Sequence, residues 1–236
     1  MNVLHLAIIA VISYLLGSFP TSIIVGKLFF ATDIRKKGSG NAGGANTFRV
    51  FGWKAGLLVI AFDIGKAVVA TLLVSTLPPF AGMHGTLLGV DGTRLVAGCA
   101  AVVGHIWTVF AGFRGGKGVA AAAGMVLALY PLALLIVVLI FLVLIILTGF
   151  VSVGSITAAI CFPFIVLALP ALGAGTFSPV LFWSSVPLAL LIVFTHRKNL
   201  VRLLHGNENR FENLMVLRRL RNPSSRSPKP DEPENH

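Results

Sequence analysis

Three short segments carry the residue types that hold anions. Residues 38–46 read GSGNAGGAN and lead into Thr47, Phe48 and Arg49. The four glycines there permit tight turns with φ > 0. Successive backbone N–H groups, that of Gly40 among them, can then converge as an anion nest, with Ser39, Asn41 and Asn46 as orienting side chains. Arg49 offers a bidentate guanidinium fork for phosphate oxygens. The second segment runs Gly104-His105-Ile106-Trp107 and then Phe113-Arg114-Gly115-Gly116-Lys117-Gly118. Its Gly-Gly-Lys-Gly invites comparison with a nucleotide P-loop, but Ala111 and Gly118 stand where that loop requires Gly and Ser/Thr, and no strand precedes it. What survives is a lysine among three glycines at the start of an apolar helix, where the macrodipole favours an anion. The third segment, residues 195–210, reads THRKNLVRLLHGNENR. On a helix His196 and Asn199 share a face at i, i+3. Leu200, Leu203 and Leu204 form an apolar stripe, and Gly206 is a helix stop.

Each segment also has a plainer reading. The first is then a flexible linker, and the second a charged stop at a membrane face, with His105 an ordinary interfacial histidine. The third is then a basic juxtamembrane helix lying on lipid. Simple linkers rarely mix Asn, Arg and Gly so densely, and a charged stop leaves the glycines around Lys117 unexplained. Two further charges, Asp63 and Lys66, lie at i, i+3 inside an apolar run. Ionisable groups at such depth are costly and as a rule functional; pairing in support of the neighbouring site is expected.

The elements that must position these residues follow from composition. The chain has 236 residues, 56% of them hydrophobic and 11% charged, and its mean hydropathy is +0.90. Soluble domains are roughly 25% charged. The sequence therefore predicts an all-α integral membrane protein. A spanning helix needs about 20 apolar residues, and residues 4–30, 55–77, 95–110, 155–172 and 179–194 qualify. Residues 119–147 contain Pro131, so they read either as one long kinked span or as two spans meeting at Tyr130–Pro131. Charge separates six spans from seven. Residues 35–54, 114–117 and 197–229 hold five, two and nine Lys/Arg of the chain's 19. Seven transmembrane helices put all three on one face, as the positive-inside rule requires. The N-terminus is then outside and the C-terminus cytoplasmic. No Lys or Arg precedes the first span and no A-x-A site follows it, so an uncleaved anchor is expected. Residues 1–220 form the polytopic domain, and the Pro/Ser-rich residues 221–236 a disordered cytoplasmic tail. The two cysteines, Cys99 and Cys161, lie in apolar runs and give no disulfide framework. Most aromatics lie in apolar runs rather than among the basic residues, which argues against nucleic acid as a partner.

These motifs, in this order, resemble the PlsY-type glycerol-3-phosphate acyltransferases of bacterial membranes. The likeness runs from Gly17-Ser18-Phe19-Pro20 to about Arg210. Asp33-Ile34-Arg35, Gly38-Ser39-Gly40-Asn41, Gly43, Asn46 and Arg49 are similar to the first family motif. Gly104-His105 with Phe113-Arg114-Gly115-Gly116-Lys117-Gly118-Val119-Ala120 is similar to the second. His196, Asn199, Arg202, Gly206 and Glu208 are similar to the third. Ala45 and Ala121 stand where the family often has Thr, and Thr195 where a basic residue usually precedes the histidine.

The resemblance implies transfer of a fatty acyl group from a long-chain acyl phosphate to the 1-hydroxyl of glycerol 3-phosphate. The products are 1-acylglycerol 3-phosphate (lysophosphatidate) and phosphate, and the reaction is the first step of phospholipid biosynthesis. It implies a multi-pass protein of the bacterial cell inner membrane with its site facing the cytoplasm. Arg49, Lys117 and His196 are the catalytic candidates: the two cations hold phosphate and offset developing charge, and His196 is the candidate base. A substrate phosphate oxygen or Glu208 can alternatively take the proton. Ser39, Gly40, Asn41, Asn46, Gly115, Gly116, Gly118 and Asn199 are the substrate and phosphate contacts, and the resemblance adds Ser152. Glu208, Asp63 and Lys66 are expected to support the site. No metal and no cofactor is expected, since the six histidines and eight carboxylates show no ligand spacing. Membrane lipid is a partner, and the protein is expected to act as a monomer. The alternatives are a transporter for an organic phosphate anion, which would need charges at the midplane and an internal repeat, and a lipid-binding scaffold without catalysis.

Overall fold

The computed structural model describes residues 3–74, 89–174 and 178–211, all in helices and the turns between them. The helices are α1 Val3–Gly17, α2 Thr21–Phe30, α3 Gly44–Phe51, α4 Trp53–Leu73 and α5 Gly89–Ile106. They continue with α6 Val119–Leu129, α7 Pro131–Thr148, α8 Val151–Ala171, α9 Pro179–Thr195 and α10 Arg197–Leu204. Five stretches are long and apolar enough to cross a bilayer: Val3–Phe30, Trp53–Leu73, Val90–Ala111, Pro131–Thr148 and Val151–Ala171. Helices α9 and α10 qualify only together and are bent by 56° between them.

The expected break at Tyr130–Pro131 is present. Tyr130 leaves helical geometry at φ −143° and Pro131 opens α7, as its fixed φ and missing N–H favour. Helix α6 has 11 residues, about 16 Å of rise, against a hydrocarbon core of about 30 Å. By length and apolarity alone the described residues offer five spans, or six with the bent pair, and α6 is too short to add a further one by itself. The first span is also divided. Ser18, Phe19 and Pro20 separate α1 from α2, because Pro20 cannot donate a helical hydrogen bond. Residues 212–236, including the expected tail, lie outside the described set.

Close backbone approach holds the bundle together, as expected where lipid removes the hydrophobic drive between helices. A Cβ on Gly17 would lie 2.1 Å from the Ala101 carbonyl oxygen, and one on Gly104 would lie 2.2 Å from that of Tyr14, so α1 and α5 touch backbone to backbone. Gly124 brings α6 equally close to α4 at Ile64. Most of α7 points its leucines and valines outward, with Leu135, Leu139, Leu142 and Val143 exposed. Its buried residues are Ala133 and Ile145. That face is built for lipid.

Candidate active site

The first segment is a self-braced loop. Asp33 starts the short turn Ile34–Lys36 by accepting from the Arg35 backbone N–H, and its carboxylate meets the Arg35 guanidinium at 2.8 Å. That hydrogen bond holds the Asp33 carboxyl down to about 2. Arg35 also donates to the Ala111 carbonyl (2.9 Å), joining the first loop to the second. Gly38 and Gly40 take left-handed φ values of +58° and +73°, which only glycine adopts without strain. At the centre lies Asn46, 1% exposed. Its Oδ1 accepts the Ser39 N–H (2.9 Å), and its Nδ2 donates to the carbonyls of Lys37 and Asn41, both at 3.0 Å. The Gly40 N–H goes to the Lys37 carbonyl. Asn46 and the N–H groups of Ser39 and Gly40 therefore frame the loop and are not spare donors for phosphate. Asn46 spends its amide within the loop, yet it lines the cavity described below together with Ser39, Asn41, Gly43, Gly44 and Arg49. Arg49 stacks over the Phe211 ring at 4.6 Å, and burial lowers its pKa.

The second segment follows the same economy. Gly115 and Gly116 give their N–H groups to the carbonyls of Ile106 and His105, each at 3.0 Å. They too are unavailable to a ligand. Their lack of a side chain serves close approach: a Cβ at Gly115 would lie 2.0 Å from the His105 carbonyl oxygen, and one at Gly116 would lie 2.1 Å from His105 Nε2. Gly118, at φ +88°, turns the chain into α6. The glycines thus deliver one cation, Lys117, whose Nζ donates to Asn199 Oδ1 at 2.6 Å. Burial, with help from nearby Arg202 and Arg49 against Glu208, brings its pKa down to about 8.

The third segment meets it at the bend between α9 and α10. His196 is 2% exposed and its Nδ1 donates to the Ile192 carbonyl at 2.8 Å. The neutral ring therefore carries its lone pair on Nε2. Burial first, and then the Lys117 charge, push its pKa down to about 4, so the ring is neutral at physiological pH. Asn199 relays from Lys117 to Glu208 Oε1 (2.5 Å). Glu208 also accepts from Ser152 Oγ (3.1 Å) and from Arg202 Nε (2.6 Å). Burial raises the Glu208 pKa, but these donors outweigh it and hold the carboxyl below its ordinary value. Thr195 donates to the Lys117 carbonyl at 2.9 Å. Helix α10 ends at Leu204, before Gly206 at φ +72°. Of the leucine stripe, Leu200 and Leu203 are half-buried and Leu204 is exposed.

All three segments open on one cavity of about 360 Å³. Arg49, Lys117, Ser152, His196, Asn199 and Glu208 line its polar end, and Val137, Phe141, Phe162, Leu188 and Ile192 are among its apolar walls. Two structural groups that the sequence left without a role, Thr195 and Arg202, brace Lys117 and Glu208. The i, i+3 pair forms as expected, with Lys66 Nζ 2.9 Å from Asp63 Oδ1. It is not isolated. Thr21 donates to the same oxygen at 3.0 Å, and His105 Nδ1 lies 3.5 Å from it. His105 is buried, not interfacial, and only the adjoining Gly104 hinted in the sequence that the helix packs tightly there.

Two positive side chains beside one braced carboxylate, at the mouth of an apolar slot, suit a substrate with a phosphate head and a hydrocarbon tail. Known proteins agree with that geometry. The glycerol-3-phosphate acyltransferase family profile matches residues 7–206. The glycerol-3-phosphate acyltransferase of Chlorobaculum parvum is 47% identical, over 87% of this chain and 95% of its own. That of Chlorobium chlorochromatii is 44% identical, over 88% and 97%. Among solved structures, the glycerol 3-phosphate form of PlsY (YgiH), an integral membrane glycerol 3-phosphate acyltransferase, is similar with a TM-score of 0.75 and 34% identity. The match covers 90% of this chain and 98% of that one. The lysophosphatidic acid form of PlsY gives a TM-score of 0.72. The chain belongs to the glycerol-3-phosphate acyltransferase family.

Proposed function

We propose that the protein transfers a long acyl chain from acyl phosphate to the 1-hydroxyl of glycerol 3-phosphate, releasing 1-acylglycerol 3-phosphate and inorganic phosphate. The observation that carries this reading is the single cavity with Arg49 and Lys117 at one end and a hydrocarbon-lined slot at the other. Each substrate brings a phosphate to the cations, and the acyl tail enters the slot.

Acyl phosphate is a mixed anhydride with a stable leaving group, so positioning and charge stabilisation supply most of the catalysis. The hydroxyl oxygen forms the new C–O bond, the acyl C–O bond to phosphate breaks, and its electron pair leaves on phosphate. Lys117 and Arg49 offset negative charge on the tetrahedral carbon's oxygen and on the departing phosphate. The hydroxyl proton passes to His196 Nε2, the ring atom left with a lone pair. Ser39, Asn41, Ser152 and Asn199 orient the two phosphates. Glu208 braces Lys117 through Asn199, and its oxygens are taken up by Ser152, Asn199 and Arg202.

The same reading places the chain in the bacterial inner membrane as a monomer, with the three basic segments on the cytoplasmic side. Seven crossings, with α6 completing a crossing together with its neighbours, leave the N-terminus outside. The defining experiment incubates purified protein with acyl phosphate and glycerol 3-phosphate and follows phosphate release. Release that requires both substrates is expected. Uptake of glycerol 3-phosphate into vesicles without release would overturn the enzyme in favour of a transporter.

A further inference from the structure

The buried cluster formed by Asp63, Lys66, Thr21 and His105 takes no step in the chemistry above; Asp63 and His105 border the same cavity, and the cluster reaches the active-site loop. Asp63, 2% exposed, receives Lys66 and Thr21 on the oxygen that His105 Nδ1 faces. Lys66 also donates to the Phe19 carbonyl at 2.8 Å, which fixes the break between α1 and α2. Three separate stretches of chain are thereby pinned around one carboxylate.

His105 carries that fixation outward. Its Nδ1 edge faces Asp63, its Nε2 edge lies flat against the Gly116 backbone, where no Cβ fits, and its carbonyl takes the Gly116 N–H. The space left among Thr21, Asp63, Lys66, His105 and Gly116 is about 10 Å³, no more than one water needs. A contact without slack transmits displacement. Gly116 is bonded directly to Lys117, so the ring's seat against Asp63 sets where the Lys117 ammonium lies.

We infer that His105, seated on Asp63, is a positioning residue for Lys117, holding the loop that presents this cation to substrate phosphate. The inference rests on the proposed role of Lys117. Displacing a catalytic group by about 1 Å costs up to roughly 10²-fold, so effects on kinetics should exceed effects on folding.

The test compares His105→Leu, His105→Asn and Gly116→Ala, reading kcat and KM for glycerol 3-phosphate together with the thermal midpoint. His105→Leu should lose at least about tenfold in kcat/KM while staying folded. His105→Asn keeps a donor toward Asp63 and should stay within about threefold of wild type. Gly116→Ala drives a methyl into the ring from the other side and should match the leucine variant, so the contact stays testable if His105→Leu does not fold. Folded His105→Leu or Gly116→Ala with wild-type constants would overturn the inference, as would His105→Asn impaired as deeply as His105→Leu. Wild-type turnover in Lys117→Ala would instead overturn the role of Lys117 itself.

Discussion

The loops 38–46 and 112–118 deliver Arg49 and Lys117 to one cavity by different means. In the first, a single buried side chain from within, Asn46, ties together Ile34, Lys37, Ser39 and Asn41. In the second, no internal side chain does this work. The loop leans on the end of α5 through His105 and Ile106, and His105 leans on Asp63 42 positions away. One frame is local and the other is built from several helices. Gly40 in the first loop and Gly115 and Gly116 in the second spend their N–H groups on the protein itself, and Arg49 and Lys117 supply the positive charge at the cavity.

The contrast can be broken from either side. Lys117→Ala should have the largest effect, a fall in kcat of roughly 10³-fold, the upper range for removing a preorganised stabiliser of developing charge, with the fold intact by circular dichroism. Asn46→Ala strands several buried backbone groups at once. It should lower stability by about 2–3 kcal/mol and kcat/KM by roughly 10²-fold. The frames meet at the Arg35 bond to Ala111, so the reactivity of Lys117 toward an amine reagent should change far less than kcat/KM.

Acidity sharpens the comparison, since only the second loop carries a titratable cation near neutrality. Lys117, at about 8, loses its charge as pH rises through that value. The kcat/KM profile should therefore fall on the alkaline side by about tenfold per pH unit. Bound phosphate favours the charged form, so the limb in kcat should lie at higher pH. Lys117→Arg should retain part of the activity and remove the limb, because a guanidinium stays protonated there. On the acid side His196, at about 4, stays neutral until well below the ordinary histidine range, so activity should persist to about pH 5. An acid limb near 6.5 that vanishes in His196→Ala would contradict that assignment, whereas a limb common to both proteins belongs to the substrate phosphate. The smallest effect is expected for Thr195→Val, which removes one hydrogen bond to the Lys117 carbonyl. A loss of about fivefold in kcat/KM corresponds to roughly 1 kcal/mol.

Much of the site was legible because its chemistry is written in local spacing. Lys117 among glycines, Arg49 after a glycine-rich run, and the i, i+3 relation of His196 and Asn199 all place the right residues in one cavity. The helix break at Tyr130–Pro131 follows from a proline. The frames were less legible because they depend on residues distant in sequence or on where a side chain turns. Asn46 looks like any polar loop residue until its amide is seen facing inward, and nothing near His105 announces Asp63. The division of the first span is masked because apolar residues on both sides keep the stretch Val3–Phe30 hydropathic as a whole. Length alone does not give the expected seventh span, because an apolar run of adequate total length is divided into a short α6 and a longer α7.

The claim on which the rest stands is that the three cation-bearing segments share one side of the membrane. In a background lacking Cys99 and Cys161, single cysteines replacing Lys37, Arg114 or Lys198 can be labelled with a membrane-impermeant reagent in oriented vesicles. All three should react from the cytoplasmic side and resist the reagent from the other. If any one of them reacts only from the opposite side, the shared phosphate site cannot form.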